Sequence, residues 1–196
     1  MSALPVLRTA NADFVTPSLL VGGDLDYRSG ELAARQLSEL VEAGVTHIVD
    51  VRVEWSDEQL VRQLYPRLAY LHHGVDDAGQ LVPAAWFDRG VGYALDAIAA
   101  GGVVLTHCHM GINRGPSLGF AVLLAQGWDA VAALDAIRRV RPIAFVAYAE
   151  DALAWWHGPT QALEDELDRV ALWRRENHLD VAAVIRMKRA QEDRGA

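Results

Sequence analysis

The chain has 196 residues, enough for one compact α/β domain with a sizeable core plus an appendage. A formal net charge of −8 disfavours sequence-independent binding to nucleic acid or to an anionic membrane, and a 52% hydrophobic composition argues against wholesale disorder. The single cysteine, Cys108, excludes an internal disulfide and any multi-cysteine metal site, which fits a reducing, cytoplasmic setting. The opening MSALPVLRTANADF lacks the long apolar core and cleavage site of a signal peptide. The longest apolar run, 143–149, is too short to span a bilayer.

In chain order, SLLVGG (18–23) reads as the first strand. Residues 31–43 place Ala33, Leu37, Leu40 and Val41 on one helical face, and Gly44 suits the position just past its end. VTHIVDV (45–51) is short and β-branched, so it predicts a strand. Ser56 can cap a short helix carrying Leu60, Val61 and Leu64, and LAYLHHGV (68–75) reads as another strand. Pro83 opens a helix with Phe87, Val91, Leu95 and Ile98 at helical spacing, closed by Gly101. GVVLTH (102–107) is uniformly apolar up to its last two residues, as expected at the centre of a parallel sheet covered on both faces. Helices follow at 116–126, 129–139 and 147–157. This alternation predicts an α/β fold with a mostly parallel central sheet flanked by helices.

Gly158-Pro159 interrupts the pattern, dividing a domain over 1–158 from a charged C-terminal helical extension over 159–196. In that extension Leu163, Leu167 and Val170 form one stripe, and Val181, Val184 and Ile185 suggest another. Docking on its own domain is the favoured reading of the tail, and a homodimer contact through the C-terminal helix is the alternative.

The segment HCHMGINRGPS (107–117) carries the chemistry. It places Cys108 directly after the apolar strand and before a helix, at the carboxyl end of a sheet strand where unpaired N–H groups gather. Gly111 and Gly115 let the backbone curl until several N–H groups converge on one anion, and the planar guanidinium of Arg114 matches two oxygens of a phosphate. An unperturbed thiol, with a pKa of ~8.5, is only a few per cent thiolate at neutral pH. One helix terminus gives only ~0.3–1 kcal/mol, so the loop N–H groups and Arg114 must supply most of any activation. His72 and His73 are neighbours on a strand, so they point to opposite faces and make a poor joint metal site. Asp50 and Arg52 share a face and read as a supporting ion pair, and Trp155 and Trp156 read as packing.

H-C-x-x-G-x-x-R followed by a helix resembles the signature loop of the cysteine-dependent protein tyrosine phosphatase superfamily, in its dual-specificity branch. The resemblance runs in order through TPSLLVGG, AGVTHIVDV, VDDAG, the loop itself and RRVRPIAF, over residues 13–157. It implies that Cys108 is the nucleophile and that a phosphocysteine forms and is then hydrolysed. His109, Met110, Gly111, Ile112, Asn113 and Arg114 would cradle the phosphate, with Arg114 stabilising the transition states. The family's general acid lies about thirty residues before the cysteine, where Asp76 and Asp77 both fall. Asp77 is preferred because it keeps the usual distance to the aromatic helix after it. His107 is expected to orient Cys108 through a hydrogen bond to the loop backbone. No metal or cofactor is needed, and the partner expected is a phosphorylated protein or a small phosphoester, not nucleic acid or a membrane.

One position departs from that pattern. Where the family usually has Ser or Thr after the arginine, assisting the thiolate as it leaves, this chain has Gly115. A slow second step is therefore expected. Gly115→Ser is expected to speed it if the backbone there tolerates a side chain, with Ser117 as an alternative source of a hydroxyl. The alternative reading is a phosphate-recognising binding module with weak turnover.

Overall fold

A computed structural model describes the backbone of residues 4–194 and the side chains of residues 4–190. Its five strands, β1 (Ala12–Thr16), β2 (Leu19–Gly22), β3 (His47–Asp50), β4 (Ala69–His72) and β5 (Val104–His107), form one sheet in the order β1-β2-β5-β3-β4. The apolar strand expected at the centre is β5. All four of its residues are buried, and it pairs in parallel with both β2 and β3. Alternate strand residues feed two cores. Val21, Val49 and Val104 face helices α3 (Ala84–Ala99), α4 (Arg114–Ala125), α5 (Ala130–Val140) and α6 (Ala149–His157). Leu20, Ile48 and Leu105 face α1 (Gly30–Glu42) and α2 (Glu58–Leu64). The expected mostly parallel α/β sheet is the observed one.

Several boundaries differ from the sequence reading. β1 was not expected. It pairs antiparallel with β2 after a turn at Pro17, where the Ser18 N–H donates to Thr16 Oγ1 at 3.3 Å. A five-residue edge strand next to Asn, Asp and Pro carries little strand signal. α4 begins at Arg114, two residues before the expected Pro116, so the arginine itself belongs to the first helical turn. In α2 the cap position is Asp57, while Ser56 Oγ accepts from the Glu58 N–H at 3.2 Å.

Beyond Gly158, at the end of α6, come α7 (Gln161–Glu176) and α8 (Val181–Arg194). Val170 and Trp173 of α7 are buried in the same core as α5 and α6, and Trp173 Nε1 donates to Asp135 at 2.6 Å. The first part of the extension is therefore continuous with the core of the preceding residues. Among the described residues, no helix is long and apolar enough to cross a membrane.

Candidate active site

β5 ends at His107, and the loop of residues 108–113 turns over the sheet end into α4. Cys108 is buried, and its N–H continues the sheet by donating to Gly22 O at 3.2 Å. Among the described residues, no N–H from Met110 to Arg114 donates a hydrogen bond, so the loop keeps a set of unspent donors at a helix start. Gly111 has φ +65°, and a Cβ there would lie 2.2 Å from Arg141 Nη2. Both facts demand glycine.

Arg141 is the prop behind this loop, and the sequence reading missed it. It is buried, and it donates to Gly111 O (2.6 Å), Met110 O (3.0 Å), Asn11 Oδ1 (2.8 Å) and Asp13 Oδ2 (2.8 Å). Its place in RRVRPIAF was the available signal, since a buried guanidinium at a helix end needs acceptors. On the other side, Ile112 O accepts the N–H groups of Phe145 (2.8 Å) and Val146 (3.2 Å).

Cys108, His109, Met110, Ile112, Asn113, Arg114, Glu54 and Asp77 line one cavity of about 230 Å³, with Ile185 and Arg189 of α8. Asp77, not Asp76, reaches this cavity. Its Oδ1 accepts from the Tyr148 hydroxyl at 3.0 Å, and its Oδ2 lies 3.7 Å from Arg114 Nε. Asn113 Nδ2 stands 3.5 Å from both Asp77 oxygens.

Glu54 was also missed. Its carboxylate takes the fork of Arg114, at 2.7 Å from Nη2 and 3.0 Å from Nη1, while Val75 O takes a further bond from Nη1 at 3.0 Å. The guanidinium holds Glu54 down to about pKa 2. Burial opposes the charge of Arg114, yet Glu54, Cys108 and Asp77 together keep that guanidinium above its ordinary value. Arg114 Nε is buried with no hydrogen-bond partner. It is a ready donor for an anion.

The supporting residues differ from expectation. His107 does not bond the loop backbone: its Nδ1 is buried without a partner, and its Nε2 lies 3.8 Å from Asp50 Oδ1. Burial pushes its pKa down, which keeps the ring neutral. His109 is anchored by Asp24, with Nδ1 and Oδ2 2.6 Å apart. The expected Asp50–Arg52 pair forms at 2.8 and 2.7 Å. Ser117 Oγ accepts from the Tyr148 N–H at 3.2 Å, and Ser117 does not line the cavity. Gly115 has no room for a side chain. A Cβ there would lie 2.9 Å from Cys108 N, His107 C and His107 Cα, all backbone atoms. The condition set for Gly115→Ser, that the backbone there tolerate a side chain, is not met, because α4 comes this close to the end of β5.

No family model matches the chain. Mouse protein phosphatase Slingshot homolog 3 is 32% identical over 121 residues, which make up 60% of this chain and 17% of that protein. The chain thus spans about a sixth of the length of that curated relative. Among solved structures, human DUSP28 superposes with a TM-score of 0.63 at 24% identity, over 83% of this chain and 99% of that one. The chain has the dual-specificity phosphatase fold. PTPMT1, in a complex with PI(5)P, superposes with a TM-score of 0.60 at 17% identity, over 82% and 99% of the two chains. A human tyrosine phosphatase-like serine/threonine/tyrosine-interacting protein gives 0.55 at 18%, over 76% and 96%. The resemblance to the cysteine-dependent superfamily, in its dual-specificity branch, therefore holds. In this dual-specificity fold the cavity sits at the carboxyl end of the central strand, where open α/β sheets bind ligands.

Proposed function

We propose that the chain is a phosphoric monoester hydrolase working through a phosphocysteine. One observation carries the reading: Cys108, Arg114 and Asp77 line one cavity with Met110, Ile112 and Asn113, whose N–H groups donate no hydrogen bond among the described residues. In the first step the Cys108 thiolate attacks phosphorus and the bond to the leaving oxygen breaks, while Asp77 gives that oxygen its proton. In the second, Asp77 takes a proton from water as the water oxygen attacks phosphorus. The S–P bond then breaks, releasing phosphate and the thiolate. The loop N–H groups and Arg114 stabilise the equatorial oxygens in both steps, and Glu54 orients Arg114 for that task.

The expected substrate is a phosphorylated protein or a small phosphoester, in the cytoplasm. Cys108→Ser tests the reading. It should abolish hydrolysis of an aryl phosphate while still binding inorganic phosphate, and retained hydrolysis would remove the covalent mechanism. A second reading, a phosphate-recognising module with weak turnover, is favoured by Gly115, where there is neither a hydroxyl nor space for one. A pre-steady-state burst followed by near-zero turnover would select it.

A further inference from the structure

The tail contributes to the site in a way that the sequence stripes did not reveal. Asp180 Oδ1 accepts from the Ala183 N–H at 2.8 Å and fixes the start of α8. Val181, Val184, Ile185 and Lys188 then recur at helical spacing. Three of them line successive hollows. Val181 lines one with Phe145 and Trp173, while Ile185 and Arg189 wall the Cys108 cavity. Lys188 lines the neighbouring cleft of about 530 Å³ with Tyr27, Arg28, His109 and Met110. Val184 is buried and anchors the helix.

We infer that α8 is a specificity wall that selects small phosphomonoesters over phosphate carried in the middle of a polypeptide. The inference rests on the phosphatase reading above. A phosphorylated residue inside an extended peptide has chain leaving in both directions at ~3.3 Å per residue, so two residues on each side need about 13 Å of clear floor. α8, a helix about 10 Å across, takes part of that space by placing Ile185 and Arg189 in the cavity wall. A phosphate at the end of a small molecule needs only one approach. α8 also supplies one of the two arginines lining the cavity, Arg189 beside Arg114, against Glu54 and Asp77. Displacing it should weaken attraction for the phosphate of either ester alike, while opening the mouth helps only a peptide, so the ratio of the two reads the wall.

The test is Val184→Asp in the full chain, which releases the anchor without touching the cavity lining. We expect the ratio of kcat/KM for a peptide with central phosphotyrosine to that for 4-nitrophenyl phosphate to rise about tenfold, equivalent to roughly 1.4 kcal/mol. An unchanged or lower ratio overturns the proposal. Should the variant lose its cooperative melt, Ile185→Ala with Arg189→Ala trims the same wall and is judged by the same ratio. If the wild type shows no Cys108-dependent hydrolysis of either ester, the phosphatase reading falls. Affinities of Cys108→Ser for free phosphotyrosine and for the peptide, with and without Val184→Asp, then decide the role of α8 on their own.

Discussion

The Tyr148 hydroxyl lies 3.0 Å from Asp77 Oδ1 and 3.3 Å from Asp76 O, and it receives the Gly79 N–H at 3.4 Å. One phenol therefore closes the 76–79 turn over the cavity. Burial, then the nearby Asp77 carboxylate, push Tyr148 up to about pKa 12, so it stays a donor across the working range. Tyr148→Phe keeps the ring and removes the clamp. Hydrolysis of an alkyl phosphate should fall more than that of a nitrophenyl phosphate, by up to ~10–150-fold for a hydrogen bond to a charged group. Asp77→Asn should show the same leaving-group dependence more strongly, at ~10²–10⁴-fold, and Asp76→Asn should not. Equal losses on both esters in Tyr148→Phe would reduce it to a packing residue.

Gly115 gives a prediction opposite to the one its sequence context invites. A serine Cβ meets backbone on three atoms at 2.9 Å, so α4 must back away from β5 to admit it. Gly115→Ser should lower stability by about 1–3 kcal/mol, seen as a fall in Tm of ~2–4 °C per kcal/mol at this chain length. It should also weaken oxyanion binding instead of speeding release of phosphate. An unchanged melt with a faster second kinetic phase would show that the loop has slack.

The parts legible in the sequence were those in which one local signal decided the outcome. The apolar run into His107 marked the central strand, and Gly44 and Gly101 fall just past the ends of α1 and α3 with positive φ. What escaped depends on partners far apart in the chain. Glu54 meets Arg114 across 60 positions, and Arg141 reaches Asn11 across 130. A buried guanidinium announces that it needs acceptors, but not which loop will bring them. The steric barrier at Gly115 lies in the distance between a helix and a strand end, which no residue pattern encodes.

Glu39 ties the segment before β1 to α1, accepting from the Thr9 hydroxyl (2.6 Å) and from the N–H groups of Arg8, Thr9 (2.8 Å) and Ala10 (2.7 Å). Desolvation raises its pKa, but these four donors outweigh it and bring it down to about 2 from 4.5. The unfolded chain therefore binds more protons between those values, and stability rises with pH there. The Glu39 contribution is complete above about pH 4.5 and is lost as pH falls toward 2. Melting wild type and Glu39→Gln across this range should give curves that differ at neutral pH and converge in acid. Parallel curves would show that the carboxylate charge contributes nothing.

Arg174, on α7, reaches back from beyond Gly158 to the turn at Phe145 and Val146. Its Nη2 donates to Val146 O at 2.9 Å and its Nη1 to Phe145 O at 3.1 Å, while Glu150 holds its fork at 2.6 and 2.8 Å. Val146 has φ +57°, the one positive φ outside glycine among the described residues. A β-branched residue held there costs of order 1–3 kcal/mol, and the Val146 and Phe145 N–H groups both bond Ile112 O in the loop after β5. Arg174 thus clamps a strained turn that holds Ile112 in the loop of the proposed anion site. Arg174→Ala should cost ~1.5–3 kcal/mol for lost bonds to a charged group, a fall in Tm of roughly 3–12 °C. It should also lower kcat/KM for an aryl phosphate. Arg174→Lys should recover little, because a single ammonium cannot reproduce the fork on Glu150 while holding two carbonyls. Unchanged melting and activity in Arg174→Ala would mean that the Val146 turn holds its conformation without α7.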